Sequence, residues 1–264
     1  MKLVYANITG GLLFTGDTYG QMIFDKRPLS QSLGSYVRYF KRRSPDILCL
    51  SEVHLETKYA SEMVEYLASA LGLPHHRSLA LSDSHLDPYK QKKLGMAVLS
   101  RYPILGQEEF TIPSPGLEVI RPDGAHWKMF DKGGQRVFLD VDGRIVGLVN
   151  FSYFPFYHFK RKVNEPAFRG LRRQLLKVLQ GDSEVATIIT GDFNQKGFLL
   201  KKAFPELFTG NALAQAVTVP TTVVGAQEQL DHILYPPKYF TSSGGFAEQN
   251  GSDHLAIGAT FQWR

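Results

Sequence analysis

A chain of 264 residues, 43% hydrophobic and 21% charged, can bury a substantial core and is not a disordered polymer. Its net charge of +5 suits a phosphorylated or polyanionic partner, but the excess is modest for this length and does not choose a substrate. No apolar run approaches the ~20 residues of a membrane-spanning helix. Asn7 interrupts the N-terminal run too early for a signal-peptide core, and the single cysteine, Cys49, excludes an internal disulfide, so a cytoplasmic location is expected.

Along the chain the apolar pattern alternates between extended and helical periods. Strands are expected at Leu3–Ile8, Asp46–Ser51, Gly95–Ser100, Gln135–Val141, Ile145–Tyr153, Val185–Thr190, Leu230–Tyr235 and Leu255–Trp263. Asp142-Gly143 predicts a tight hairpin turn, because Asp-Gly readily adopts the positive φ that such turns need. Helices are expected at Leu29–Arg42, Thr57–Leu71 and Phe168–Leu179, where apolar residues recur at three- and four-residue steps. The Pro-containing stretch from Ile104 to Lys132, with Pro113, Pro115 and Pro122, reads as a long irregular excursion. No repeat and no interdomain linker stands out, so residues 1–264 are read as one α/β domain.

Several apolar strands end in short polar groups. Asn7 closes Leu3-Val4-Tyr5-Ala6-Asn7, and Asp46-Ile47-Leu48-Cys49-Leu50-Ser51-Glu52 ends in a carboxylate. Thr190-Gly191-Asp192-Phe193-Asn194 ends in two polar side chains two apart, which share a face in extended chain. Leu230-Asp231-His232-Ile233-Leu234 and Gly251-Ser252-Asp253-His254 follow. Singly, each is an ordinary turn, cap or solvated loop, since Asp, Asn and Ser bond their own backbone. Together they bring carboxylates and a histidine to strand ends, where α/β folds commonly build sites. Oxygen donors with little cysteine point to Mg²⁺ or Mn²⁺ rather than structural zinc.

This ordered set resembles the endonuclease/exonuclease/phosphatase superfamily, and the resemblance runs from Asn7 to His254. Gly95-Met96-Ala97-Val98-Leu99-Ser100-Arg101-Tyr102-Pro103 is similar to that family's central strand and the turn after it. The resemblance implies a four-layer sandwich of two packed mixed β-sheets with helices outside, and water-driven hydrolysis of a phosphoester using one or two Mg²⁺ or Mn²⁺ ions. It further implies that Glu52 is the principal metal ligand, with Asn7 close by and Asp253 completing the metal side. Asp192 would orient or deprotonate the attacking water, and Asn194 would hold phosphate or water. His254 would bond a non-bridging oxygen, with Asp231 fixing its tautomer.

One position departs from the pattern. An Asn-x-His strand motif counted from Asn150 reaches Ser152 instead of histidine, while abasic-site endonucleases carry a tyrosine in a segment like Tyr153-Phe154-Pro155. That segment sits one residue late, and a one-residue slip reverses a side chain's facing unless a bulge corrects it. Tyr153 is taken as the residue in question, with His158 as the substitute and an aromatic surface loop as the plain reading. His54, two residues after Glu52, is read as a solvated loop histidine, with contact to substrate or a second metal as the alternative. Of the basic clusters, Lys41-Arg42-Arg43 and Arg172-Arg173 read as solvated helix faces, whereas Lys160-Arg161-Lys162 follows the aromatic loop and suits a nucleic-acid backbone. A nuclease is therefore the first reading. A phosphatase or phosphodiesterase of a lipid headgroup, inositol phosphate or small molecule is the second, and a non-catalytic binding module the third.

Overall fold

The computed structural model describes residues 1–18, 23–25, 28–84, 90–120, 124, 126–181, 184–195 and 200–264; Pro122 lies outside them. Two six-stranded mixed sheets form its centre. Strands are numbered along the chain. The first sheet runs β13 (Phe240–Gln249), β14 (Leu255–Trp263), β1 (Lys2–Asn7), β2 (Ile47–Leu55), β4 (Lys93–Ser100), β3 (His75–Asp83). The second runs β11 (Ala214–Gln215), β12 (Asp231–Tyr235), β10 (Ala186–Asp192), β9 (Arg144–Ser152), β8 (Lys132–Val141), β5 (Ile104–Ile112). A separate hairpin joins β6 (Glu118–Ile120) to β7 (His126–Lys128). In each sheet one central pair is parallel, β1 with β2 and β9 with β10, and the neighbours pair antiparallel.

Alternation along the strands sorts side chains into layers. Leu3, Tyr5, Ile47, Cys49 and Val98 of the first sheet meet Val137, Leu139, Leu148, Ile188 and Ile233 of the second in a buried layer between the sheets. The opposite residues, Val4, Ala6, Leu48, Leu50, Ala97 and Leu99, pack under α1 (Leu29–Arg43) and α2 (Glu62–Leu71) through Leu33, Tyr36, Phe40, Val64 and Leu67. On the far side, Val149, Phe151 and Ile189 pack with Leu175 and Leu179 of α3 (Arg169–Gln180) and an aromatic cluster around Phe154, Phe156 and Phe204. This is the expected four-layer sandwich. Among the described residues no helix is long and apolar enough to cross a membrane.

The Asp142-Gly143 turn closes the β8–β9 hairpin with both residues at positive φ (55° and 80°), as its sequence dictates. Helix α2 starts later than its apolar spacing suggests, because Ser61 caps it by accepting the Val64 N–H at 3.2 Å. The strands the sequence did not reveal are informative. β3, β5, β11 and β13 are the four edge strands. An edge strand has one pairing partner and a half-solvated surface, so its composition stays polar, as in Phe240-Thr241-Ser242-Ser243-Gly244-Gly245 of β13. The excursion from Ile104 to Lys132 is accordingly not irregular throughout, since β5 and the β6–β7 hairpin lie inside it.

Candidate active site

The two parallel pairs end at a common rim. Asn150 near the end of β9 donates from Nδ2 to Leu50 O (2.9 Å) and Ala97 O (3.1 Å) of the opposite sheet. Two residues further along each strand, Ser152 of the second sheet and Glu52 of the first therefore come to the same edge. Register does the rest: Asn7 pairs with Ser51, Ser152 with Asp192, and Asp192 with Asp231. Glu52 is aimed by a bulge. The β2–β4 register shifts between Ser51 and Val53, and Glu52 takes a left-handed φ of 52°. Such a bulge re-aims one side chain while its neighbours stay packed, which leaves Glu52 half-buried between buried Ser51 and Val53.

Asp231, His254 and Asp192 converge, with ligating atoms within 4.8 Å of one another. His254 Nδ1 lies 2.8 Å from Asp231 Oδ2, a bond that fixes the proton on Nδ1. Thr222 holds Asp231 in place: its Oγ1 accepts the N–H groups of Leu230 (2.9 Å) and Asp231 (3.0 Å), while its carbonyl accepts from Leu255 next to His254. Asn194, at φ 52°, folds back so that its N–H donates to Asp192 Oδ1 and its Nδ2 to Asp192 Oδ2, both at 2.8 Å. The Asx turn and the functional pair are thus the same structure.

Burial sets the electrostatics. Desolvation, reinforced by Asp231, pushes the Asp192 carboxyl up to about 7, against the pull of His254 and Lys132. Burial opposes charge on His254, but Asp231 first, then Asp253 and Asp192, outweigh it and hold the imidazole well above its usual range. Burial likewise raises the Tyr5 phenol, helped by Asp231, Asp192 and Glu52, so Tyr5 stays protonated, 2.7 Å from Ser51 Oγ.

The donor set fits a hard divalent cation. The group of two carboxylates and one imidazole, Asp192, Asp231 and His254, offers donors to such an ion, and among the described residues Asp231 Oδ1 is a buried carboxylate oxygen with no hydrogen-bond partner. Of the residues expected on the metal side, Glu52 faces the rim, and Asn7 is buried beside it with Oδ1 accepting the Thr9 N–H at 3.0 Å. Asp253 is tied into the scaffold: its Oδ1 accepts from Thr9 Oγ1 (2.7 Å) and Ser252 Oγ (3.1 Å), joining the loop after β1 to the turn before β14.

Two expectations need correcting. Tyr153 is not brought to the site. The β9 registers with β8 and β10 run without a shift from Asn150 to Ser152, so no bulge corrects the one-residue slip. Its ring is fully buried against Phe154, Phe156 and Phe204, and among the described residues its hydroxyl has no hydrogen-bond partner. Ser152 faces the rim instead, 3.4 Å from Lys132 Nζ. The substitute, His158, lies on a short 3-10 turn with its ring 4.5 Å from that of Trp127. His54 is not a loop histidine. The bulge at Glu52 breaks the shared facing, and His54 is buried on β2, 3.1 Å from Ser84 Oγ and so close under Gly10 that any Cβ there would overlap its ring. Lys132 and Thr222 escaped the sequence reading. Lys132 has one local signal, the Gly133-Gly134 pair after it: a Cβ on Gly134 would overlap Asn150 O, so only glycine lets β8 approach the end of β9.

No sequence among the curated proteins matches the chain significantly. Solved structures share its fold at low identity. An endonuclease/exonuclease/phosphatase from Beutenbergia cavernae DSM 12333 superposes with a TM-score of 0.66 at 18% identity, over 99% of this chain and 71% of that one. The human Nocturnin catalytic domain, solved with a bound sulfate anion, gives 0.68 at 15% identity, over 100% and 93%. The mannosyl-6-phosphatase Bt3783 of Bacteroides thetaiotaomicron VPI-5482 gives 0.60 at 13%, over 99% of each chain. The profile of the Endonuclease/Exonuclease/phosphatase family matches residues 24–254. With the sandwich and the strand-end groups in place, that match shows that the chain belongs to the endonuclease/exonuclease/phosphatase family.

Proposed function

We propose that this chain is a divalent-metal-dependent phosphodiesterase acting on nucleic acid. The observation that carries the hydrolytic reading is the buried Asp231–His254 pair set against Asp192, a constellation that keeps one imidazole charged beside a carboxylate of raised pKa. Glu52 with Asn7, and Asp231 through its orphaned Oδ1, would hold the ion, and Asp253 would brace the loops around them. A bound divalent ion would offset the phosphate charge and make water a better nucleophile.

The chain's own groups supply the rest. Asp192, steadied by both donors of Asn194, would align the attacking water and accept its proton as the oxygen bonds to phosphorus. His254, through its other ring nitrogen, would donate to a non-bridging oxygen where charge builds in the transition state, and Asp231 would keep it charged and oriented. Attack in line with the departing ester oxygen inverts phosphorus.

Two features of the rim support a nucleic-acid substrate. Trp127, Tyr157 and His158 form a half-buried aromatic group, with Tyr157 and Trp127 rings 4.3 and 4.5 Å from His158. Tyr157 also reaches the site, its hydroxyl donating to Asn194 Oδ1 at 3.3 Å, and Lys160, Arg161 and Lys162 follow it. Aromatic faces beside cations suit single-stranded bases and their phosphates. One observation favours a small phosphoester instead: a cavity of about 260 Å³ lined by Phe156, Tyr157, Lys160, Lys162, Asn194 and Gln195, the scale of a small ligand. Purified protein assayed with Mg²⁺, Mn²⁺ or EDTA against single-stranded RNA, plasmid DNA, an abasic duplex, inositol phosphates, sphingomyelin and sugar phosphates separates the two. Metal-dependent cleavage of a nucleic acid supports the first reading; turnover confined to small or lipid esters overturns the substrate and keeps the mechanism.

A further inference from the structure

Lys132 opens β8 and sends its side chain toward the rim from a strand that supplies none of the groups above. Its ammonium stands 3.4 Å from Ser152 Oγ and 4.6 Å from the centroid of the Phe130 ring. Ser152 is the residue paired with Asp192, so the cation sits over the end of the strand pair that carries the site. Glu52 of one sheet and Asp192 of the other both act on it electrostatically, yet among the described residues it makes no ion pair. Burial depresses its pKa, with the attraction of Glu52 and Asp192 opposing that shift. The Gly133-Gly134 pair after it lets the start of β8 run close against Phe110 on one side and Asn150 on the other, which sets the position of Lys132. An ammonium bonded to Ser152 at the end of the strand pair that carries Asp192, within electrostatic reach of Glu52 and Asp192, is placed to receive an anion that enters the site.

We propose that Lys132 is a catalytic residue of the phosphoester hydrolysis assigned above, its ammonium donating to a non-bridging oxygen of the scissile phosphoryl group. It stays protonated throughout and transfers nothing. With His254 it forms a two-cation clamp, one arm from β8 and one from the turn before β14, on oxygens whose charge grows in the transition state. The inference rests on the phosphoesterase reading, because without a phosphoryl group the ammonium would only bond Ser152 and face the Phe130 ring.

The test compares wild type with Lys132→Met, which keeps the apolar stem, and Lys132→Arg, which keeps the charge. Turnover of bis-p-nitrophenyl phosphate, calorimetric binding of inorganic phosphate in Mg²⁺, and thermal melting are measured on each. Lys132→Met should lose about 10²- to 10³-fold in kcat, the scale of one preorganised donor, and bind phosphate at least about tenfold more weakly. Lys132→Arg should recover part of both, and ethylammonium should partly rescue Lys132→Met. A Lys132→Met protein that melts lower but keeps kcat and phosphate affinity would show a strut and overturn the proposal. If Lys132→Met does not fold, Lys132→Gln carries the same comparison. A wild type inactive on every phosphoester defeats the parent reading instead, a distinct result.

Discussion

At the scale of single residues, the site is a set of groups whose neighbours define them more than their own chemistry does. Tyr153 and Ser152 differ by one position and by everything that matters, since strand alternation sends one hydroxyl into an aromatic core and the other to the rim. A buried hydroxyl without a partner costs about 1–3 kcal/mol relative to a satisfied one. Tyr153→Phe should therefore leave turnover unchanged and raise the urea midpoint slightly; a large loss of activity would return Tyr153 to the site. Asp192 gives a pH prediction whose sign follows from its raised pKa. From about pH 4, where an ordinary Asp ionises, to about 7, the folded metal-free protein retains a proton that the unfolded chain has lost. Stability in EDTA should fall as pH rises through that window. His254, also raised, contributes stability that is present below about pH 6.5 and lost as pH rises through its folded value, so the two add. Denaturation of Asp192→Asn across the same range should show a distinctly shallower slope, and an unchanged slope would mean that Asp192 is not the group responsible.

At the scale of elements, one bulge and one amide align the two halves of the site. The bulge at Glu52 was not legible in Leu50-Ser51-Glu52-Val53, because nothing local requires the register of β2 to shift against β4. It also explains why the spacing of Glu52 and His54 misled: period-two facing holds only where the strand is regular. Metal titration of Glu52→Gln should need a higher Mg²⁺ concentration for half-maximal activity, whereas an unchanged curve would remove Glu52 from the ligand set. The amide of Asn150 bridges the sheets by donating to the carbonyls of Leu50 and Ala97, a cross-strand pair of the first sheet. Asn150→Leu keeps the size, removes both bonds and should cost about 0.5–1.5 kcal/mol for each, visible as a lower urea midpoint; a neutral result would mean that water or backbone movement replaces the amide.

At the scale of the whole molecule, central strands and edge strands left different traces in the sequence. The central strands, buried on both faces, read directly as apolar runs such as Ile47–Leu50 and Ile188–Thr190. The four edges did not, because solvent on one side lets them be polar. The site followed the same division. Asp192, Asp231 and His254, which the fold brings together, were legible because each closes or adjoins an apolar run, as do Asn7, Glu52 and Asn194. Lys132 and Thr222 were not, because their roles come from a neighbouring strand's approach and from a loop's hydrogen bonds. What links these scales is the claim that a buried His–Asp pair, an adjacent high-pKa carboxylate and an oxygen-donor set together hydrolyse a phosphoester with a divalent ion. The most direct measurement is the initial rate of bis-p-nitrophenyl phosphate hydrolysis in Mg²⁺, Mn²⁺ and EDTA, for wild type, Asp192→Asn and His254→Ala prepared identically. The account predicts turnover in metal, its abolition by EDTA, and a loss of about 10²- to 10⁴-fold in each variant without loss of cooperative unfolding; a rate that survives EDTA or either substitution would contradict it.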